Sequence, residues 1–381
     1  MSADRRESLA KVKKIVVKIG SSLLTGDRSR GVRTRFLSKI AGQVGRLQAR
    51  GMEVSIVTSG AIAAGLFELK LKTRPKDIPR LQALAAIGQS NLMQAYGNTF
   101  KKNGIKVAQV LLTREDLSNR HRYSNARNTF VELFRNKIVP VVNENDTVAV
   151  EEIKFGDNDT LAVLVTHLAE ADLLILLTDT DGFYEMDPRL NPKAKIISDI
   201  RKWDEDFTRK ATASQTLVGT GGMKTKIQAA KSMMRSGIPM AIVNGNGKDI
   251  LTRLLAGENV GSYFYPTSGR MGSRDRWLTW SVKPKGEVTI DEGAQRALLE
   301  KNKSLLPSGV RAVSGNWVSG DVVKIVDGSQ RELARGVANY SSQELERIKG
   351  FRTEEVFKTL GYQVRDEVVH RDNMVKTGDE A

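Results

Sequence analysis

The chain has 381 residues, of which 40% are hydrophobic, and it contains no cysteine. This length suits two domains and this hydrophobic share supports a buried core, which excludes wholesale disorder, while the lack of cysteine excludes disulfides, thiolate zinc sites and thiol nucleophiles. The net charge of +16 lies before residue 281, because residues 281–381 hold 16 basic and 16 acidic side chains; a basic surface that steers an anionic substrate and ordinary solvated helix faces explain it equally well.

Residues 1–14 are rich in charged side chains and lack the apolar stretch of a signal peptide. The longest purely apolar runs, such as 173–177, are about five residues long, whereas a membrane-spanning helix needs roughly 20. We therefore expect a cytoplasmic protein that has no membrane among its partners.

Short β-rich runs alternate with helical patterns over the first 260 residues. Strands are predicted at residues 14–19, 53–58, 106–112, 137–142, 172–177 and 239–243. Helical spacing of apolar residues predicts helices between them, for example at 80–101 and 223–236. Alternation of this kind predicts an α/β fold with a mainly parallel open sheet sandwiched by helices.

The pattern changes after about residue 260. Residues 262–283 mix Gly, Pro, Tyr and Trp without a helical period, and we interpret them as a linker that follows a first domain, 1–261. Short strands at 286–290, 310–313, 322–326 and 333–337 then predict a small β-rich barrel domain with one or two helices. This second domain is placed at 284–370, and the C-terminal tail at 371–381.

Polar and glycine-rich clusters follow the predicted strands of the first domain, and α/β proteins bind their ligands at that edge of the sheet. The first cluster begins with Lys18, which lies in an otherwise apolar strand just before Gly20. An unpaired ammonium is costly there, and a glycine turn lets backbone N–H groups approach phosphate oxygens. A contact between Lys18 and a phosphate is therefore favoured over the alternative, in which this side chain only reaches out to solvent.

The other clusters have acidic, amide, hydroxyl and glycine residues. Ser59 can cap the next helix or hold a substrate carboxylate there, and the two roles are compatible. The acidic and amide residues at 143–146 and 156–159 can bind the ammonium of an amino acid or position lysines, although ordinary turn roles stay open for Glu144 and Asp157. Residues 177–184 close another strand, and the glycine-rich residues 219–222 open a helix that brings Lys226 towards a bound anion.

Several common catalytic motifs are missing. The chain has no G-x-x-x-x-G-K-[ST] sequence, so it is not a P-loop enzyme. The three histidines, His121, His167 and His370, are scattered, which argues against a histidine metal site or a Ser-His-Asp triad. The sequence 370–372 matches the start of a protein-kinase catalytic loop but lacks the rest of that motif.

Eight segments in order, VVKIGSS, VTSGAIAAG, LLTREDL, NARNT, PVVNENDTVA, FGDNDTLA, LLTDTDGFY and GTGGMKTK, resemble glutamate 5-kinases, a branch of the amino-acid kinase family. The resemblance covers nearly the whole chain. Residues 286–325 are similar to the PUA domain that many members of this branch carry at the C-terminus. The resemblance implies an amino-acid kinase domain at 1–261, which binds ATP and glutamate, and a PUA-like domain at 284–370.

The resemblance also implies roles for individual residues. Lys18 and Lys226 would grip the phosphates and stabilise the transferring group, and Asp159 would hold both lysines in place. The expected glutamate-binding residues are Ser59, Asp146 and Asn158. The expected ATP-binding residues, with Mg²⁺ carried by the nucleotide rather than by a protein site, are Lys18, Thr178, Asp179, Thr220, Gly221, Gly222, Met223, Lys224, Thr225 and Lys226. Lys224 stands where the family usually has a small residue.

The activity that the resemblance implies is ATP-dependent phosphorylation of the L-glutamate side-chain carboxylate to L-glutamyl 5-phosphate, the first step of proline biosynthesis. This carboxylate has an unperturbed pKa of about 4.3, so it attacks without a general base and needs only positioning and charge neutralisation. The family further implies a homo-oligomer, a dimer or tetramer. Because the acyl phosphate product is labile, we also expect its transfer to the next reductase of the pathway.

Two alternative functions stay open at this point. The first is a PUA-containing RNA-binding protein, which the neutral charge of residues 281–381 disfavours, so that RNA is not expected as a partner. The second is a sister amino-acid kinase that acts on another carboxylate.

Overall fold

The computed structural model of the chain describes residues 3–25, 31–148, 158–188, 190–204, 207, 222–267, 269–362 and 365–377. These residues divide into two compact units, Met1–Met271 and Gly272–Ala381. None of the helices among them is long and apolar enough to cross a membrane.

The first unit is built on an eight-stranded sheet with the order β3-β4-β2-β1-β5-β7-β8-β6. All neighbouring strands run parallel except β7 and β8, which are antiparallel. The strands are β1 (Lys14–Ile19), β2 (Glu53–Val57), β3 (Val107–Leu112), β4 (Val139–Glu144), β5 (Leu173–Thr178), β6 (Asp199–Ile200), β7 (Met240–Asn244) and β8 (Ser262–Phe264). The predicted α/β class and mainly parallel sheet are confirmed.

The described residues of the first unit also form helices, which lie between these strands except for the first, which precedes β1. In chain order they are α1 (Ala3–Ala10), α2 (Ser21–Thr25), α3 (Thr34–Ala49), α4 (Ala61–Glu68), α5 (Ile78–Lys101), α6 (Arg114–Ser118), α7 (Arg120–Arg135), α8 (Asn158–Leu168), α9 (Met223–Arg235) and α10 (Ile250–Leu255).

Successive side chains of the central strand β1 point to opposite faces of the sheet. Ile15, Val17 and Ile19 are fully buried in a core to which α3, α5 and α10 also contribute. Val16 and Lys18 point to the opposite face of the sheet, where α8 packs against β1. Lys18 is therefore a charged side chain in a buried row. It lies at the C-terminal end of β1, where the neighbouring parallel strands also end.

Helices α4 and α5 cross at very close range because a glycine stands on each helix at the crossing. A Cβ atom added to Gly88 would lie 1.8 Å from the carbonyl oxygen of Ala61, and one added to Gly65 would lie 2.0 Å from that of Leu84. Only hydrogen side chains fit there. Since α4 begins directly after Gly60, the backbone contact at this crossing fixes the position of the turn that follows β2.

The second unit contains a mixed five-stranded sheet with the order β10-β9-β11-β12-β13, in which only β9 and β11 are parallel. Its own core includes Val288, Ile325 and Leu345. Its strands and α-helices are α11 (Ser273–Arg276), β9 (Gly286–Ile290), α12 (Glu292–Leu299), β10 (Val310–Gly315), β11 (Val322–Val326), β12 (Glu332–Val337), α13 (Ser342–Ile348), α14 (Thr353–Leu360) and β13 (Met374–Lys376).

Two segments that were expected to lie outside the domains belong to the sheets. Ser262–Phe264, placed in the 262–283 linker, form β8 with three buried side chains, and the same segment continues into α11 and a π-helical turn at Trp277–Ser281. Met374–Lys376, placed in the 371–381 tail, form β13. A three-residue strand is too short to show an alternating pattern, so the sequence gives no signal for either one.

Candidate active site

The ammonium groups of two lysines from distant parts of the chain meet at one buried carboxylate. The Nζ atom of Lys18, on β1, lies 2.6 Å from Oδ1 of Asp159, and the Nζ atom of Lys226, on α9, lies 3.1 Å from Oδ2. Asp159 is fully buried in the first turn of α8. The structure thus brings together the three residues that the sequence singled out for catalysis.

The electrostatics of this cluster keep the carboxylate ionised. Burial alone raises the pKa of Asp159, but the positive charges of Lys18 and Lys226 outweigh burial and hold this pKa well below its usual value. A hydrogen bond from Thr225 lowers it further. A carboxylate with such a low pKa is a weak base, so the chemistry open to Asp159 is to position the two ammonium groups rather than to accept a proton.

Thr225 has a different contact from the one expected. Its hydroxyl lies 2.7 Å from Oδ2 of Asp159 and 2.8 Å from the carbonyl oxygen of Gly222, and its single proton can serve one acceptor at a time. This side chain therefore helps to orient Asp159. A direct contact between the Thr225 hydroxyl and a nucleotide remains a prediction.

The Asp159→Asn variant is expected to be about 3–5 kcal/mol less stable than the wild type at pH 7, because two ammonium groups lose their buried counter-charge. The unfolded chain takes up a proton on Asp159 as the pH falls below about 3.9, while the folded chain, with its depressed pKa, does not. The wild type therefore loses this stabilisation with falling pH. Urea unfolding at pH 7, 5, 4 and 3 should show that the difference in unfolding free energy between the wild type and Asp159→Asn narrows below pH 4. A difference that stays constant would contradict the role of Asp159 as the ionised partner of both lysines.

A second polar group lies beside this cluster, at the ends of β2 and β4. The side-chain nitrogen of Asn158 lies 2.9 Å from the carbonyl oxygen of Thr58, 2.8 Å from Oγ of Ser59 and 3.1 Å from Oδ1 of Asn143. Because Asn158 and Asp159 are consecutive, the amide group and the lysine–aspartate cluster lie side by side. The structure thus joins Ser59 and Asn158, both predicted to bind the acceptor substrate.

Asp146, the third residue expected to bind the acceptor, lies in the turn that follows β4 and is half-buried. The strand that precedes it ends in Asn143 and Glu144, which are both buried. Since β4 is the parallel neighbour of β2, this turn is at the same edge of the sheet as Ser59. Asp146 is therefore on the correct edge, and its contact with a substrate remains a prediction.

Two of the residues expected to bind the nucleotide, Thr178 and Asp179, lie on the other side of β1. Thr178 ends β5, and its hydroxyl accepts the backbone N–H of Thr180 at 2.9 Å, while Asp179 is exposed. On the next strand, the side-chain amide of Asn244 donates to Asp181 at 2.7 Å. The polar ends of β5 and β7 therefore form one continuous rim.

The glycine-rich loop is only partly within the described residues. Thr220 and Gly221 lie outside them. Gly222 is the N-cap of α9, and Met223 and Lys224 lie in its first turn, where Lys224 is exposed. The described part of the loop thus places a helix N-terminus, an anion-binding feature, in the same first turns as Lys226.

Sequence reasoning missed one buried polar residue of this site, Gln89 on α5. Its side-chain oxygen accepts a hydrogen bond from the Asn143 amide at 2.9 Å. A signal was present: Gln89 interrupts an apolar stripe that includes Leu81, Leu92 and Tyr96 at helical spacing. A polar residue on the buried face of a helix needs a partner, so the pattern predicts a polar contact for Gln89 without showing which residue makes it.

Taken together, two clustered cations at one edge of the parallel sheet lie between a group of amide and hydroxyl side chains and the polar ends of β5 and β7, and the N-terminal turns of α9 carry one of these cations. Such an arrangement can hold two anions against each other and neutralise the charge between them. This is the requirement for transferring a phosphoryl group to an anionic acceptor.

Comparison with known proteins agrees with this reading. The model of the amino acid kinase family matches residues 13–244, and that of the PUA domain matches residues 286–360. The first match covers more than half of the chain, which therefore belongs to the amino acid kinase family.

Full-length relatives define its place within that family more narrowly. The chain is 47% identical to a glutamate 5-kinase from Citrifermentans bemidjiense over 97% of this chain and 99% of the relative. It is 48% identical to one from Caldanaerobacter subterraneus over 95% of this chain and 97% of the relative. The chain is thus a member of the glutamate 5-kinase branch, as the motifs of the sequence suggested.

Among solved structures, a UMP kinase from Bacillus anthracis matches with a TM-score of 0.46 at 15% identity, covering 68% of this chain and 97% of that structure. An isopentenyl phosphate kinase from T. acidophilum matches with a TM-score of 0.43 at 19% identity, covering 66% of this chain and 99% of that structure.

Proposed function

We propose that this protein transfers the γ-phosphoryl group of ATP to the side-chain carboxylate of L-glutamate, which gives L-glutamyl 5-phosphate and ADP in the first step of proline biosynthesis. The observation that carries this proposal is the pair of ammonium groups held on one buried aspartate at the centre of the sheet edge. The high identity to glutamate 5-kinases over almost the full chain supports the choice of acceptor.

In the proposed reaction, a carboxylate oxygen of glutamate forms a bond to the γ-phosphorus while the bond from that phosphorus to the bridging oxygen of ADP breaks. The acceptor is already ionised at neutral pH, so no proton has to be removed. The barrier arises mainly from bringing two anions together and from charge on the transferring group. Lys18 and Lys226 supply the neutralising charge, and Asp159 keeps both amines at the place where it is needed.

The acceptor pocket is suited to an amino acid. Since Ser59 Oγ accepts a hydrogen bond from Asn158, its own proton is available to donate to a carboxylate. The other end of the Asn158 amide, Oδ1, is buried and has no hydrogen-bond partner in the described part of the chain, so it can accept from an ammonium. We propose that Asp146 adds a negative charge for the same ammonium.

On the nucleotide side, Thr178, Asp179 and residues 220–226 are proposed to bind ATP. Magnesium would enter with the nucleotide, as the resemblance to the family implies. Asp159 is already engaged by two lysines, and no cluster of three or more possible metal ligands is present in the residues that the structure describes. What the ion supplies is further neutralisation of phosphate charge.

Further proposals concern the partners of the protein. We propose a homo-oligomer, a dimer or tetramer, and transfer of the labile acyl phosphate to the next reductase of the pathway. RNA is not among the proposed partners, because many basic side chains described in the second unit are already bound to acidic ones: Lys285 to Asp321, Arg311 to Asp291, Lys324 to Glu287, Arg331 to Asp327, Arg335 to Glu332 and Lys349 to Glu346.

ADP release measured with glutamate, aspartate, N-acetylglutamate and UMP, each offered alone with ATP and Mg²⁺, tests the proposed function directly. Glutamate is expected to be the preferred acceptor by a wide margin. Faster turnover with any of the other three would show that this compound, and not glutamate, is the preferred substrate. If none of the four acceptors caused ADP release, the proposed function would be refuted.

Replacing Ser59 with alanine is expected to raise the KM for glutamate by about tenfold, because one hydrogen bond to a charged group is lost. The KM for ATP should stay close to that of the wild type, since the nucleotide is proposed to bind on the other side of β1. Initial rates measured over a grid of both substrates separate the two constants. An effect confined to the KM for ATP would place Ser59 at the wrong substrate.

A further inference from the structure

We infer that Gln89 is a positioning residue for the acceptor substrate, acting on the pocket through Asn143 and Asn158. This inference rests on the proposed function. Gln89 lies on the buried face of α5, is only 9% exposed, and comes from a part of the chain to which neither the motifs nor the comparisons assign a role. It is the far end of a row of three side-chain amides that ends at Ser59.

The direction of each hydrogen bond in this row follows from its fixed end. The carbonyl oxygen of Thr58 can only accept, so the atom of Asn158 that lies 2.9 Å from it must be the nitrogen. The same nitrogen lies 3.1 Å from an atom of Asn143 that must then be an oxygen, which turns the nitrogen of Asn143 towards Gln89. The Gln89 oxygen, 2.9 Å away, accepts from it.

This row leaves Asn158 with a fixed orientation. The two protons of its nitrogen are shared among the oxygens of Thr58, Ser59 and Asn143, and its oxygen is consequently the atom that is offered to a ligand. An asparagine whose amide could turn over would present a donor to the substrate ammonium instead of an acceptor. The Gln89 oxygen supports this arrangement, because it accepts from the Asn143 nitrogen and so stabilises the orientation that the Thr58 carbonyl sets.

The other end of Gln89 gives a second indication. Its nitrogen is buried and has no hydrogen-bond partner in the described residues, and neither has the oxygen of Asn158. Buried polar atoms of native proteins are almost always satisfied. Of these two open atoms, the Asn158 oxygen is the one at the Ser59 end of the row, and an open acceptor there is suited to the ammonium group of an α-amino acid.

The test is a double-mutant cycle on the full-length protein with the variants Gln89→Met, Asn143→Ala and the two combined, assayed for KM and kcat with glutamate and ATP. Gln89→Met removes the acceptor while keeping a long unbranched side chain. We expect it to raise the KM for glutamate by about tenfold, the usual order for one lost buried hydrogen bond, and to change kcat and the KM for ATP by less than about twofold. The double variant should be no worse than Asn143→Ala alone.

A matched control is available on the same helix. Thr99 is buried on α5 more than two turns away from Gln89, and Thr99→Val, which is isosteric, should leave the KM for glutamate unchanged. If Gln89 only fills space, its replacement will lower the melting temperature without a selective change in the KM for glutamate, or its effect will add to that of Asn143→Ala. Either result overturns the inference.

Two further outcomes are distinguishable. A wild-type protein without glutamate-dependent ADP release would refute the proposed function itself, whereas an active wild type with an unchanged Gln89→Met variant would refute only the role of Gln89. If Gln89→Met does not fold, Asn143→Ala gives an independent reading. Asn143 links Gln89 to Asn158, so an unchanged KM for glutamate in Asn143→Ala also overturns the inference.

Discussion

Replacing Lys18 or Lys226 with alanine is expected to lower kcat by about a hundredfold to a thousandfold, the effect of removing one preorganised charged donor from a transition state. Each substitution leaves Asp159 with one of its two ammonium groups, so the protein should still fold. The affinity for glutamate should change little, because the acceptor is proposed to bind through Ser59 and Asn158. Steady-state kinetics with circular dichroism on the same samples measures both effects.

Lys14 offers a control for Lys18, because both lie on β1 and point to the same face of the sheet. Lys14 lies at the opposite end of the strand from Lys18, and its Nζ atom is 2.9 Å from Oε2 of Glu53. Lys14→Ala should therefore keep kcat close to that of the wild type. The double variant Lys18→Ala with Lys226→Ala should instead be strongly destabilised, by about 3–5 kcal/mol, because a buried carboxylate then has neither counter-charge. Near-normal kcat in either single variant would refute the proposed roles of the two lysines.

Replacing Gly88 with alanine is expected to damage both stability and acceptor binding. The added Cβ atom would lie 1.8 Å from the backbone oxygen of Ala61, which no rotamer change can relieve, so α4 and α5 must move apart. Overpacking of this kind costs about 1–3 kcal/mol or more. Because α4 starts at the turn that carries Ser59, the KM for glutamate should rise as well. Urea unfolding and steady-state kinetics test the two effects together.

Gly97 is the matched control, since it lies on the same helix and a Cβ atom added there meets nothing within 4 Å. Gly97→Ala should raise stability by about 0.5–1 kcal/mol, the usual gain when alanine replaces glycine inside a helix, and should leave the kinetics unaltered. Equal effects of the two substitutions would mean that helix propensity, and not the crossing, determines the behaviour of Gly88.

Much of the first unit could be predicted from sequence because its central strands β1, β2, β4, β5 and β7 are buried almost throughout and read as apolar runs. Strand β1 occupies the predicted residues 14–19. Strands β4, β5 and β7 continue one or two residues beyond their predicted ends, to Glu144, Thr178 and Asn244. An apolar run predicts a strand only as far as its last apolar residue. At this edge of the sheet the strands continue into polar residues that belong to the site, so the predicted ends fall short.

The meeting of Lys18 and Lys226 with Asp159 could be expected only through family resemblance, because spacing in the chain does not show that residues 67 and 141 positions away share a carboxylate. Neither spacing in the chain nor family resemblance predicts the contact between Gln89 and Asn143. It depends on how α5 packs over the sheet, and its only trace in the sequence is one glutamine within an apolar stripe. Side chains that act through another residue leave no motif of their own.

The place of β1 in the sheet order has a consequence for how such a protein can change its substrate. To one side of it lie β2, β4 and β3, all from residues 53–144, and to the other lie β5, β7, β8 and β6, all from residues 173–264. The groups proposed for the acceptor come largely from the first stretch, and those proposed for the nucleotide from the second. Recombination with two crossover points could therefore exchange the acceptor half between relatives while the phosphate-donor half is inherited intact.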